Sequence, residues 1–426
     1  MRILFITDGF PYPLTSGYLR HYHLIRVLSE RHEIVLFSAV DASFKQEHAE
    51  AMAPYTSRVM TFMSKATKSK SLYRRAVKWV RTLMGSNQTL LEMREAFKKL
   101  MAEEKFDVVI LSGEYTYHIV RDMDTPPIIS DLCDAYSLRT KGRMKHASPL
   151  SLATLWIKYF DLKRLELKVI EKAKYILFAS QRDAVIVPAQ FQGKSVILPN
   201  GVDTDYWRRS SATLGENTII FTGAMHYPPN NDAALHLIAD ILPLVKKSYP
   251  GVKTLIVGHS PSEKLIEAAS HQDGVTVTGF VEDMRPYLER ATLFVAPLRF
   301  GSGIQNKVLE ALAMELPIVG TSIAADGLYT ASSKAPPVFV ADTTEEFAQI
   351  LVKELNARAQ NPAPFAEGRA FVEQNFVWGS SIRKLEVILD EISSGARTIS
   401  SCSSPSDIIR PGLEGIGWNA YAQTSA

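Results

Sequence analysis

The chain has 426 residues, 46% of them hydrophobic and 22% charged, with a formal charge of +3. That length suits two domains rather than one core, and the near balance of charge gives no global reason for a nucleic-acid partner. Two cysteines, Cys133 and Cys402, lie far apart, which argues against a disulfide framework or a cysteine zinc site and fits a reducing compartment.

In chain order, MRILFITDGF carries one basic residue, a short apolar run ending at Asp8 and no small-residue cleavage site. It is expected to be a first strand, and the expected location is cytoplasmic. No run approaches the ~18 consecutive apolar residues of a membrane span. A helical pattern near 18–31 follows, then the β-rich runs HEIVLFSA, DVVILSG, PIISDL, YILFAS and SVILP. After LPNGVDTDYW, whose Pro-Asn-Gly turns the chain, the rhythm restarts with TIIFTG, VKTLIVG, VTVTG, TLFVAPL, PIVGTS and VFVAD. The expected fold is α/β: Rossmann-like domains at 1–205 and 206–370 facing across a cleft, and a helix at 371–395 returning to the first domain. The Ser-rich segment 396–426 is expected to be disordered.

The most informative stretch is GSGIQNKVLEALAMELPIVGTS, from Gly301. Glycines let a backbone approach a ligand, and the helix expected from about Ile304 would offer unpaired N–H groups, a seat for a diphosphate. At 3.6 residues per turn, Gly303, Lys307 and Glu310 share one side, while Ile304, Val308, Ala311 and Leu312 form the buried stripe. Lys307 would meet the anion and Glu310 a ribose diol, with Arg299 as a second cation. The plainer alternative is a solvated Lys–Glu pair, which contributes a few tenths of a kcal/mol at most.

Three segments together, LPNGVDTDYW, FTGAMHYPPNND and RFGSGIQNKVLEALAMELPIV, resemble the retaining glycosyltransferases of family 4, which have the GT-B fold. They look most like a bacterial subgroup associated with exopolysaccharide synthesis. The resemblance implies a metal-independent enzyme without a cofactor, using a nucleoside diphosphate sugar donor and a saccharide or lipid-linked acceptor. It also implies that Thr222 and Gly223 line the diphosphate, that Phe280 and Val281 border the nucleobase, and that Ser16 and Gly17 approach the donor from the first domain. The family's paired glutamates meet Glu310 here, but Ser302 stands eight positions before it, where the sugar-contacting glutamate belongs. The histidine that many relatives carry at the end of the first sheet has no counterpart; PIISDLCDAYSLR offers Asp131 and Asp134, with Asp134 favoured as general base. A nucleotide-sugar epimerase on the same fold and a two-lobed sugar-binding protein are the alternatives.

Other signals are weaker. Asp203 and Asp205 imitate a metal-binding Asp-x-Asp but sit in turn chemistry, and no histidine spacing suggests a metal site. No G-x-G-x-x-G follows a strand, which argues against a nicotinamide enzyme. From Lys65 to Arg81 there are seven basic residues and no acidic one, with Leu72, Ala76, Trp79, Val80 and Leu83 at helical spacing. Residues 65–83 thus read either as a surface helix or as an amphipathic helix on anionic lipid at the inner face of the cell membrane. A second basic, aromatic run is KGRMKHASPLSLATLWIKYFDLKR.

Overall fold

The computed structural model describes residues 1–13, 18–64, 84–145, 147–301, 303–329 and 335–395. Ser16, Gly17, Ser302, the basic stretch 65–83 and the tail 396–426 lie outside them.

Two wholly parallel sheets organise the chain. The first contains β1 (Arg2–Thr7), β2 (Glu33–Val40), β3 (Arg58–Met63), β4 (Val108–Ser112), β5 (Ile128–Cys133), β6 (Tyr175–Phe178) and β7 (Ser195–Ile197), in the order β3-β2-β1-β4-β5-β6-β7. The second contains β8 (Thr218–Thr222), β9 (Lys253–Val257), β10 (Val275–Val277), β11 (Leu293–Ala296), β12 (Ile318–Gly320) and β13 (Phe339–Val340), in the order β10-β9-β8-β11-β12-β13. Central strands such as RILFIT and TIIFT are buried almost throughout, because helices cover both faces of a parallel sheet. The edge strand β3 escapes the sequence pattern because RVMTFM mixes exposed and half-buried residues instead of making an apolar run.

Both sheets are doubly wound, with the strand order reversing between β1 and β4 and again between β8 and β11. Crevices at the carboxyl ends of those pairs are where such sheets bind ligands.

The expected single helix at 371–395 is two helices. Ala366–Asn375 stays with the second domain, where Val372 and Phe376 join its core. Trp378–Ser394 packs Ile382, Leu385 and Leu389 into the first-domain core beside Leu24 and Ile25. The break falls where the chain recrosses: the Val202 amide donates to the Phe376 carbonyl at 2.7 Å, and Val202 bridges Val377. Gly201 is required there, since a Cβ would lie 2.4 Å from the Trp378 nitrogen.

Candidate nucleotide-sugar site

At the end of β8, Thr222 is buried and Gly223 has φ +150°, with its amide donating to the Val257 carbonyl at 3.0 Å. A Cβ on Gly223 would meet Asn230 Nδ2 at 2.5 Å, so only glycine lets the strand end lie this close to the Pro228–His236 helix.

At the neighbouring β11 end, Arg299 to Gly303 lead into the helix Asn306–Ala313, which starts two residues later than the sequence pattern implies. Ile304, Val308, Ala311 and Leu312 are buried as expected, while Lys307 and Glu310 keep some accessible surface on the other side. The Lys307 Nζ donates to Gln305 Oε1 at 2.9 Å and stands 5.8 Å from the centre of the Phe221 ring. Burial pulls its ammonium down to about 8, against the smaller opposing effect of Glu310. Burial likewise pushes the Glu310 carboxyl up to about 7, partly offset by Lys307. No ion pair within 4 Å joins them among the described residues. A desolvated cation and a desolvated carboxyl, each shifted toward its neutral form, would both gain from a ligand bearing anionic and hydroxyl oxygens.

Arg299 behaves differently. Its guanidinium holds Asp232 through both oxygens, at 2.8 and 2.5 Å, so the charge that the sequence reading assigns to the diphosphate is already neutralised by a residue 67 positions away. Phe280 stands out into solvent at 63% exposure on the loop after the edge strand β10, with Val281 half-buried beside it.

From the first domain, two aspartates converge on Gly303, whose φ is +65°. Asp183, fully buried, accepts from the Gly303 amide at 2.9 Å, from the Ala135 amide at 2.9 Å and from the Ser180 hydroxyl at 2.5 Å. One of the N–H groups offered to a diphosphate is therefore occupied by a carboxylate from across the cleft. Asp134 lies against the same glycine: a Cβ there would come 1.9 Å from its Oδ1. Asp131, the alternative base, is consumed. It takes a bidentate hydrogen-bonded ion pair from buried Arg20, whose guanidinium also donates to the Leu198 carbonyl and to Asn200. Asn200 then donates to Asn306 at the first turn of the Lys307 helix, at 3.0 Å.

Further cross-cleft contacts escape the sequence reading. Arg182 donates to the Gly301 carbonyl at 3.3 Å, and Arg139, stacked 3.9 Å from the Tyr136 ring centre, donates to the Tyr227 hydroxyl at 3.3 Å. No local pattern marks them, because each partner lies in the other domain. Asp203 accepts from the Asp205 and Tyr206 amides, the turn chemistry expected of it. Among the described residues no three His, Cys, Asp or Glu side chains gather as a metal cage would require.

A cavity of about 370 Å³ lies at the first-domain strand ends, not at Lys307; Asp8, Asp41, Phe10, Phe44 and Tyr115 are among its walls. Burial lifts the Asp8 carboxyl to about 6 despite the hydrogen bond from Tyr18.

The family described as Glycosyl transferases group 1 matches residues 216–356. The match lies in the second domain and spans every described donor-site residue of the second sheet named above, from Thr222 to Glu310. Over 392 residues the chain is 20% identical to an uncharacterized 44.6 kDa protein in the cps region of Klebsiella pneumoniae, covering 88% of this chain and 96% of that one. A phosphatidyl-myo-inositol mannosyltransferase of Mycobacterium tuberculosis is 28% identical over 136 residues, 30% of this chain and 35% of that one. The crystal structure of Anabaena HepE in complex with UDP and glucose superposes with a TM-score of 0.63 at 13% identity, over 92% of this chain and 100% of that one. The fold is thus that of the GT-B glycosyltransferases across both domains, as the motifs implied.

Proposed function

We propose that the glycosyltransferase moves a sugar from a nucleoside diphosphate sugar to a saccharide or lipid-linked acceptor with retention, in exopolysaccharide or other cell-surface glycan synthesis. The observation that carries this is the Lys307–Glu310 face, desolvated and without an ion pair between its two groups, at the β8–β11 crevice of the domain that matches the group 1 glycosyltransferases. The complex of HepE with UDP and glucose, and the cps-region relative, support donor class and pathway respectively.

As the bond from the anomeric carbon to the diphosphate oxygen breaks, negative charge develops on that oxygen. The Lys307 ammonium and the amides at the start of its helix stabilise the charge without requiring a metal or cofactor. Glu310 accepts from the ribose diol. Retention places the acceptor oxygen on the face the diphosphate leaves, and Asp134, against Gly303, takes its proton as the new bond forms. The first-domain cavity, with carboxylates for hydroxyls and aromatic walls for sugar rings, seats the acceptor.

A thermal-shift panel of UDP, GDP, ADP and TDP sugars tests the donor, since a ligand at about 100 times its Kd stabilises by about 2.7 kcal/mol. Product analysis follows with the donor that binds. The proposal fails if no nucleotide sugar raises the melting temperature, if the free sugar nucleotide is altered without an acceptor, or if the product is inverted.

A further inference from the structure

The second basic, aromatic run of the sequence becomes a surface feature that sugar transfer does not explain. Its centre lies in the helix Pro149–Lys172, the longest in the first domain among the described residues. Leu155, Leu162, Leu165, Val169 and Ile170 bury one side of that helix. On the other side Trp156, Ile157 and Phe160 are 46%, 57% and 54% exposed, and Leu167 is 38% exposed. Trp156 and Phe160 stack at 5.6 Å with 24° between planes, and Tyr159 closes an aromatic trio. Other exposed large side chains, such as Ile266, Phe280 and Val387, are scattered along the chain.

The same face is basic. Lys163, Arg164 and Lys168 are exposed, and among the described residues no carboxylate lies within ion-pair distance of them. At ~100° per residue, Lys163, Trp156, Leu167, Phe160, Arg164, Ile157 and Lys168 fall within an arc of about 140°. The adjoining helix Tyr136–Met144 adds exposed Lys141 and Arg143. Exposed Glu171 lies on the same arc, so the fringe is net cationic rather than uniformly so. An apolar patch of one Trp, one Phe and one Ile in a net cationic fringe is the chemistry of the bilayer interface, where rings enter the headgroup region and lysines and arginines meet anionic lipid. A second copy of the chain is a poor occupant, because pairing two such faces would oppose like charges. The helix does not cross the bilayer: no helix of the described residues is long and apolar enough.

We propose that the Trp156–Ile157–Phe160 face, with Lys163, Arg164 and Lys168, docks the protein flat on an anionic lipid surface. The patch stands one helix away from the cleft. The intervening Tyr136–Met144 helix reaches the second domain through Arg139 and Tyr227, and a Cβ on its Gly142 would sit 3.6 Å from Phe300 Cβ. Docking there would bring the cleft to the membrane side of the molecule, where a lipid-borne acceptor resides. The inference is independent of the donor reading, because lipid binding is measured without nucleotide.

The test is co-sedimentation of the full chain with vesicles of phosphatidylcholine alone or with about 30% phosphatidylglycerol. The wild type should sediment with the anionic vesicles, and less in high salt. Trp156→Ala/Ile157→Ala/Phe160→Ala should weaken the partition on the order of tenfold or more. Lys163→Glu/Arg164→Glu/Lys168→Glu should abolish the preference for anionic vesicles, and Val387→Ala, an exposed apolar control on the Trp378–Ser394 helix, should change nothing. Circular dichroism confirms that each variant is folded. The proposal is overturned if the wild type stays in solution, if the apolar triple variant sediments undiminished, or if light scattering shows that the triple variant only splits a dimer.

Discussion

The two sheets wind alike about their first strands, yet the crevices at their reversal points carry opposite chemistry. Beside β1 and β4 stand Asp8, lifted to about 6, and Glu114, lifted to about 8 by burial and by the nearby Asp8 and Glu166 carboxyls. Glu114 Oε1 has no hydrogen-bond partner among the described residues. Beside β8 and β11 stand Lys307 and a glycine-led helix start. Topology therefore decides where a ligand sits, and a few strand-end residues decide which: acidic and aromatic walls suit hydroxyls and sugar rings, a buried ammonium at a helix start suits phosphate oxygens.

That contrast can be broken most decisively at Lys307. Lys307→Ala should lower kcat/KM by about 10²–10³-fold, in line with losing one preorganised charge-stabilising donor, while circular dichroism stays unchanged. Activity near wild type would leave the second crevice without its assigned role.

The seam between the crevices comes next. Asp183→Ala would strand the Gly303 and Ala135 amides and the Ser180 hydroxyl in a dry interface, and chemical denaturation should show a loss of about 2–4 kcal/mol. Asp183→Asn, which keeps an acceptor, should lose less.

Titration sharpens the contrast. Nucleotide affinity should be greatest between about pH 7 and 8, weakening above about 8 as Lys307 loses its proton and below about 7 as the Glu310 carboxyl gains one. Calorimetry across pH measures this, and Lys307→Arg should remove the alkaline limb. For Glu114 the native carboxyl holds its proton more tightly than the unfolded one. Its stabilisation is therefore complete below about 4.5 and fades as pH rises through about 8. Glu114→Gln should flatten that slope in urea midpoints without altering nucleotide affinity.

The smallest effect belongs to Arg299. Its pair with Asp232 is over a third open to solvent on the arginine side, so Arg299→Ala should cost about 0.5 kcal/mol or less. A collapse of nucleotide binding in that variant would restore Arg299 to the diphosphate.

Much of the architecture was legible because it depends on neighbours in sequence. The twelve strand-like runs each coincide with an observed strand, and the one missed, β3, is the edge strand whose faces are both partly wet. The two-sided character of 304–312 was likewise readable, since residues three and four apart share a helix face whatever surrounds them. The helix start was not: the helix begins at Asn306, with Gln305 at the N-cap, rather than at Ile304.

By itself, then, the sequence determined two parallel α/β sheets, a glycine-led helix presenting Lys307 and Glu310 on one side, and the family signature of the second domain. Only the tertiary structure decided that Arg299 spends its charge on Asp232, that Arg20 claims Asp131 and leaves Asp134 at the cleft, and that Asp183 spans 120 residues to reach Gly303. Helix and strand periods are set by bonds a few residues long, whereas the partner of a buried charge is set by which distant surfaces exclude water together.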